Sequence, residues 1–238
     1  MSTGRIEMDD RLYAYLDSVS LREMPELAAL REETMSDPRR NFQVSPMQGQ
    51  FMQLLVRMLQ ARRIVEVGVY TGYSSLALAL AQPADGQLWC FDISEDWTAM
   101  AKRHWQAAGV ADRIDFRLLT GEEGLRALLD EGHAGTMDLV FVDADKPNYH
   151  IYWDLAHELL RPNGVVIADN TLYQGAVPHE RSDEELAEMW SDKAPDHLEL
   201  LINYTHGVRA FNEKVRDDTR YDISMVPVGD GMTFGLKK

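Results

Sequence analysis

The chain has 238 residues, 45% of them hydrophobic and 26% charged, the balance of a globular protein large enough to bury a sizeable core. Its 24 Lys and Arg face 39 Asp and Glu, a formal net charge of −15 that repels phosphate backbones and anionic bilayers and excludes nucleic acid or a membrane surface as a general partner. The single Cys90 excludes an intrachain disulfide, and neither an apolar signal core near the N-terminus nor a membrane-length apolar run occurs, so a cytoplasmic location is expected.

No repeat, low-complexity tract or Gly/Ser linker divides the chain. It reads as one domain over 1–238, with an N-terminal helical extension over 1–43 and a variable acidic insertion over 178–204. In SPMQGQFMQLLVRMLQAR, Ser45 reads as a helix N-cap, Pro46 as the first helical position and Gln48 as the returning partner of a capping box. Met47, Phe51, Leu54, Leu55, Met58 and Leu59 follow at helical spacing. Short apolar runs over 64–67, 88–93, 114–118, 138–142 and 165–168 then alternate with helical patterns over 74–81, 96–108, 122–130 and 149–160. That alternation predicts right-handed crossovers and a mainly parallel sheet covered on both faces. A helix near 206–215 precedes two β runs, 223–228 and 232–236, around the hairpin signal Gly229-Asp230-Gly231. Pro227 cannot donate to a ladder, so its strand should lie at an edge or end there.

In open parallel sheets, ligands gather beyond the carboxyl ends of the strands. The first strand closes in Glu66-Val67-Gly68-Val69-Tyr70-Thr71-Gly72, an E-x-G-x-x-x-G turn rather than the G-x-G-x-x-G that cradles a pyrophosphate. An acid at this turn suits a positively charged ligand, and Asp92 at the second strand end is placed to accept from ribose hydroxyls. A ribose joined to a cationic, phosphate-free group describes S-adenosylmethionine. The fourth strand runs into Asp143-Ala144-Asp145-Lys146 and the fifth into Asp169-Asn170. If these strands are neighbours, Asp143, Asp169 and Asn170 form a hard oxygen set suited to Mg, Mn or Ca, among which oxygen ligands alone do not choose. Lys146 beside such an ion would have its ammonium disfavoured, as a general base requires. Asp145 could cap the next helix or orient Lys146. The aromatic residues Tyr149, Tyr152, Trp153 and Tyr173 could be core or could face an aromatic acceptor.

The pieces VSPMQGQF, IVEVGVYTGYSSLALALA, CFDIS, MDLVFVDADKPNYHIYW, LLRPNGVVIADNTLYQGAV and PVGDGMTF, in this order, resemble the cation-dependent O-methyltransferases of the caffeoyl-CoA and catechol type. The likeness runs from about Val44 to the C-terminus, interrupted near 178–204. It implies an α/β, Rossmann-like S-adenosylmethionine-dependent methyltransferase fold, a seven-stranded mainly parallel sheet ending in an antiparallel hairpin. It implies that Val44, Glu66, Gly68, Val69, Ser74 and Asp92 contact the methyl donor, with Asp145 a further contact and Glu122 on the adenine side. Asp143, Asp169 and Asn170 match the metal ligands and Lys146 the base, with Asp143 counted as catalytic too. Lys146, Asn170, Tyr173 and Asp230 match the substrate side. The implied reaction methylates one hydroxyl of a vicinal aromatic diol, and a homodimer is expected. The family often carries Trp where Tyr173 stands, so the acceptor wall should differ here.

Two other classes compete. A dinucleotide-dependent dehydrogenase needs the diphosphate loop this chain lacks, and a non-catalytic binding module predicts decay among Asp143, Lys146, Asp169 and Asn170, which are all present. Residues 178–199 hold eight acids against Arg181 and Lys193, a net −6. Such a segment is either a solvated helix capped by Ser182 and Glu185 or a lid that discourages anionic acceptors.

Overall fold

The computed structural model describes residues 6–178 and 180–238. Five strands, β1 (Arg63–Val67), β2 (Gln87–Asp92), β3 (Ile114–Leu118), β4 (Met137–Val142) and β5 (Leu160–Ala168), run parallel. The hairpin β6 (Tyr221–Val226) and β7 (Met232–Lys237) joins them antiparallel through β5, giving the order β3-β2-β1-β4-β5-β7-β6. This is the expected seven-stranded sheet. β6 is its edge strand and stops at Val226, one residue before Pro227, because a proline there could not donate to the ladder.

Alternation along the strands sorts side chains into two layers. Ile64, Leu139 and Phe141 point into one core, shared with α2 (Pro25–Thr34), α3 (Pro46–Leu59), α4 (Tyr73–Ala81) and α5 (Glu95–Ala107). Val65, Val140 and Val142 point into the other, shared with α6 (Gly121–Asp130), α7 (Tyr149–Leu159) and α9 (Pro195–Arg216). A third, smaller cluster joins Tyr173 to Leu186 of α8 (Asp183–Met189), to Trp190 and to Leu201 and Val208 of α9. The N-terminal α1 (Asp10–Ser20) buries none of its residues.

Three local expectations change. Ser45 does cap α3, accepting from the Gln48 N–H, but the Gln48 side chain does not return to complete a capping box; it is drawn inward to a buried carboxylate. Gln48, Gly49, Met52, Gln53 and Val56 are the buried residues of α3, and Phe51, Leu55 and Leu59 pack against the same core partly buried; Leu54 and Met58 are exposed, so the apolar spacing located only part of the buried face. Finally, α9 begins eleven residues before the expected 206, at Pro195, with its proline in the first turn where no N–H is missed. The Ser182–Glu185 capping box forms as read, at the head of α8.

Candidate active site

The turn after β1 is pinned between its two neighbours. The Gly68 N–H donates to the Phe91 carbonyl at 2.9 Å and the Asp143 N–H to the Val67 carbonyl at 2.8 Å. Gly68 has φ +90°, and a Cβ there would lie 2.1 Å from the Asp143 carbonyl oxygen, so only glycine fits. Asp92 closes the arrangement: its Oδ2 accepts from the Val69 and Tyr70 N–H groups, both at 2.9 Å, and its Oδ1 from Ser94 N–H at 2.8 Å. Next to this turn Glu66 is fully buried. Its Oε2 faces the Cys90 thiol at 3.5 Å and its Oε1 has no hydrogen-bond partner. Burial pushes its carboxyl up to about 8 against the pull of Ser74, Cys90 and Ser75, so near neutrality it holds its proton. Of the residues expected to contact the methyl donor, Glu66 interacts with Ser74 and Asp92 with Val69 next to Gly68, and Val44 belongs to the same buried cluster as Val69.

The β4 and β5 ends lie side by side, with Val142 opposite Ala168 and the Asp169 N–H donating to the Val142 carbonyl at 3.0 Å. Lys146, only 6% exposed, sends its ammonium to Asp143 Oδ1 at 2.9 Å, Asn170 Oδ1 at 2.7 Å and the Tyr149 hydroxyl at 2.6 Å. Asp169 is buried; its Oδ1 accepts from the Asn170 N–H and its Oδ2 from Gln48 Nε2, both at 2.7 Å. Burial first, then the charge of Asp143, raise the Asp169 carboxyl well above the usual carboxylate range. Two carboxylates and an amide oxygen thus meet at adjoining strand ends, with the Lys146 ammonium bonded to Asp143 and Asn170. Among the described residues no three His, Cys, Asp or Glu side chains form a metal cluster. The donor set here counts Asn170 as its third oxygen and fits a hard divalent ion.

A family model described as O-methyltransferase matches residues 17–238. The chain belongs to this family. Membership makes it an S-adenosylmethionine-dependent O-methyltransferase, the enzyme class expected from its motifs. It is 37% identical over 228 residues to a caffeoyl-CoA O-methyltransferase of Eucalyptus gunnii, covering 94% of this chain and 86% of that one. Its fold matches the methyltransferase PaMTH1 of Podospora anserina, solved with SAH bound, at TM-score 0.84 and 25% identity over 99% of both chains. It also matches the O-methyltransferase TomG of Streptomyces achromogenes, solved with SAM, at TM-score 0.77 and 30% identity over 94% and 95% of the two chains.

The remaining residues expected at the site of this O-methyltransferase take the following partners. Asp145 does not cap the following turn with its side chain; it accepts from the Tyr152 hydroxyl and the Asn148 amide, both at 2.5 Å. Tyr173 is buried with φ +42°, its ring 6.1 Å from Trp190 and 6.4 Å from Tyr204. Asp230 accepts from the Gln174 N–H at 2.6 Å, and burial raises its carboxyl. Glu122 accepts from Arg126 Nε along α6 at 2.9 Å. Sequence reasoning missed Gln48 as the partner of Asp169, and left Tyr149 and Tyr152 undecided. Both tyrosines are core residues whose hydroxyls reach the site. The apolar spacing that placed them on a helix carries no signal for where a hydroxyl ends.

Proposed function

We propose that this enzyme transfers a methyl group from S-adenosylmethionine to one hydroxyl of a vicinal aromatic diol and depends on a divalent cation. The observation that carries the reading is the Lys146 ammonium bridging Asp143 Oδ1 and Asn170 Oδ1 beside the raised carboxyl of Asp169. A hard ion held by Asp143, Asp169 and Asn170 would supply Lewis acidity that lowers the pKa of an aromatic hydroxyl. Mg is the expected ion, and Mn or Ca suits the same donors. Lys146 Nζ, oriented by the Tyr149 hydroxyl and the Asn170 amide oxygen, is the group that would take the phenolic proton, provided that it has first given up its own and stands as the neutral amine, a form that a divalent ion held beside it would favour. The phenolate oxygen then bonds to the methyl carbon as the carbon–sulfur bond breaks, and the electron pair leaves with sulfur. Holding oxygen, carbon and sulfur in line is worth up to ~7–11 kcal/mol in favourable cases.

Val44, Glu66, Gly68, Val69, Ser74, Asp92 and Asp145 are the proposed donor contacts, with Glu122 on the adenine side. Tyr173 and Asp230, with Lys146 and Asn170, are the proposed acceptor contacts. Two measurements test the assignment. Exhaustive chelation should abolish catechol methylation and added Mg should restore it; full turnover without divalent ion would remove the cation. A Lys146→Ala enzyme should lose about 10²–10⁴ in kcat, and a wild-type rate at neutral pH would remove Lys146 as base.

The expected homodimer finds support in apolar side chains left exposed on α3 (Leu54 and Met58) and on the two faces of the hairpin (Leu236 on one, Ile223 and Met225 on the other), and light scattering tests it. Among the described residues no helix is long and apolar enough to cross a membrane. A cytoplasmic setting is proposed from the single buried Cys90.

A further inference from the structure

Arg209, on α9, is 8% exposed. Its Nη2 donates to the carbonyls of Ala176 at 3.0 Å, Pro178 at 2.8 Å and Arg181 at 3.1 Å, and its Nε to that of Val177 at 3.2 Å. A guanidinium taken out of water needs such partners, and its planar fork of donors can span several carbonyls at once where a lysine cannot. The gripped carbonyls run from just after Tyr173 to the residue before the Ser182 cap of α8. One side chain therefore fixes both the exit of the Tyr173 loop and the start of the acidic helix.

The loop needs such a hold. Asn170, Tyr173 and Gln174 have φ of 54°, 42° and 53°, in the left-handed region that non-glycine residues occupy only when their surroundings impose it. Three neighbours on α9 act on the same region. Asn212 donates to the Thr171 carbonyl at 2.9 Å, and His206 pairs with Asp183 at 2.9 Å. Gly207 presses against the backbone behind the base, where a Cβ would come within 2.8 Å of Pro147 N and 2.9 Å of the Lys146 carbonyl carbon. Helix α9 thus touches the Lys146 turn, the Tyr173 loop and the acidic helix together, and Tyr204 on its N-terminal half faces Tyr173.

We propose that Arg209 is a positioning residue that sets acceptor preference by holding the carbonyls of Ala176, Val177, Pro178 and Arg181 on α9 and so fixing the exit of the Tyr173 turn, a proposal that rests on the acceptor reading above. Loss of the clamp lets the strained loop relax and changes the acceptor wall. The donor turn, held by Gly68 and Asp92 at the neighbouring strand ends, stays as it is.

The test compares the full-length wild type with R209M and R209K, using catechol and caffeoyl-CoA as acceptors. R209M should raise acceptor KM about tenfold, the scale of one or two lost charge-assisted hydrogen bonds. Its ratio of kcat/KM between the two acceptors should shift, and its S-adenosylmethionine Kd should stay within about twofold of wild type, as expected if no donor contact is lost. R209K, which keeps the charge but not the fork, should recover part of the loss. Hydrogen exchange over 171–178 should quicken in R209M while exchange over 64–92 stays unchanged. Unchanged KM, acceptor ratio and exchange would overturn the proposal. So would a parallel loss of donor affinity and protection throughout, which marks a general structural role. If R209M does not fold, R209K carries the same measurements. If the wild type methylates neither acceptor, the acceptor reading fails on its own account and the exchange over 171–178 still decides the clamp.

Discussion

Replacing Glu66 with glutamine should remove a specific part of the enzyme's pH dependence of stability. Glu66 is fully buried at the end of β1, and burial raises its carboxyl from 4.5 to about 8. The folded chain therefore keeps a proton that the unfolded chain releases near 4.5. A raised acid of this kind contributes its stability in full below the unfolded value and loses it as pH climbs through the folded one. Each pH unit across that window is worth about 1.4 kcal/mol, so the wild type should lose roughly 5 kcal/mol from this group between pH 4.5 and 8. Glutamine keeps the size of the side chain and an oxygen to accept from Cys90, yet has no proton to lose. Asp169 and the other titrating groups remain in both proteins and cancel in the comparison. The assay is urea unfolding of wild type and E66Q, with chelator and without methyl donor, in steps from pH 5 to pH 8. The two stabilities should diverge with pH, E66Q gaining on the wild type by several kcal/mol at the alkaline end. Parallel curves would show that Glu66 is ionised in the folded protein and would refute the reasoning.

Other outcomes follow from single contacts. Gln48→Met removes the amide donor on Asp169 Oδ2 and should weaken Mn binding, read by titration calorimetry, about tenfold or more, with donor affinity preserved. Gly68→Ala forces a Cβ to within 2.1 Å of the Asp143 carbonyl at φ +90°, and should destabilise the fold by about 3 kcal/mol or more with loss of S-adenosylmethionine binding by thermal shift. Neutralising the exposed acids Glu184 and Glu188 leaves the Ser182–Glu185 cap in place. It should raise kcat/KM for caffeoyl-CoA severalfold at low ionic strength, with the gain fading as salt is added. A wild-type enzyme that already prefers caffeoyl-CoA to neutral catechols would contradict the lid reading.

Strands β1, β2, β4 and β5 were legible because each is a short apolar run ended by an acid or a glycine, and the chemistry of a parallel sheet lies at those ends. Asp143, Lys146 and Asn170 meet for that reason alone: β4 and β5 are neighbours, and the residues that close them fall side by side. Gln48 was illegible by the same logic, since its partner Asp169 lies 121 residues away and helical spacing counts only apolar side chains. The capping box read there was sound local chemistry, but a buried carboxylate is a stronger acceptor for an amide than a half-exposed backbone N–H is a donor to it. The start of α9 was hidden because Pro195 reads equally as a break and as a first helical position, and its first turns carry Asp196 and Glu199 in an acidic stretch. What decided between them was the small apolar cluster around Tyr173, Leu186 and Trp190, which gives Leu198, Leu201 and Ile202 something to pack against.

The net charge of −15 mixes two kinds of acid. Those of α8 and the start of α9 are exposed and act through a screened field. Glu66 and Asp169 are buried, and their carboxyls are raised because burial penalises the charged form. A protein that needed only stability would carry apolar side chains there. Keeping acids at the ends of β1 and β5, on either side of β4, leaves the ligand-free fold less stable at neutral pH than its packing alone would allow. That deficit is what a cationic ligand at either place would relieve, so binding and folding are coupled through the same side chains. A buried Glu66 beside the β1 turn and a buried Asp169 beside Asp143 suit the proposed reading, in which the methyl donor and a divalent ion would each bring positive charge to this edge.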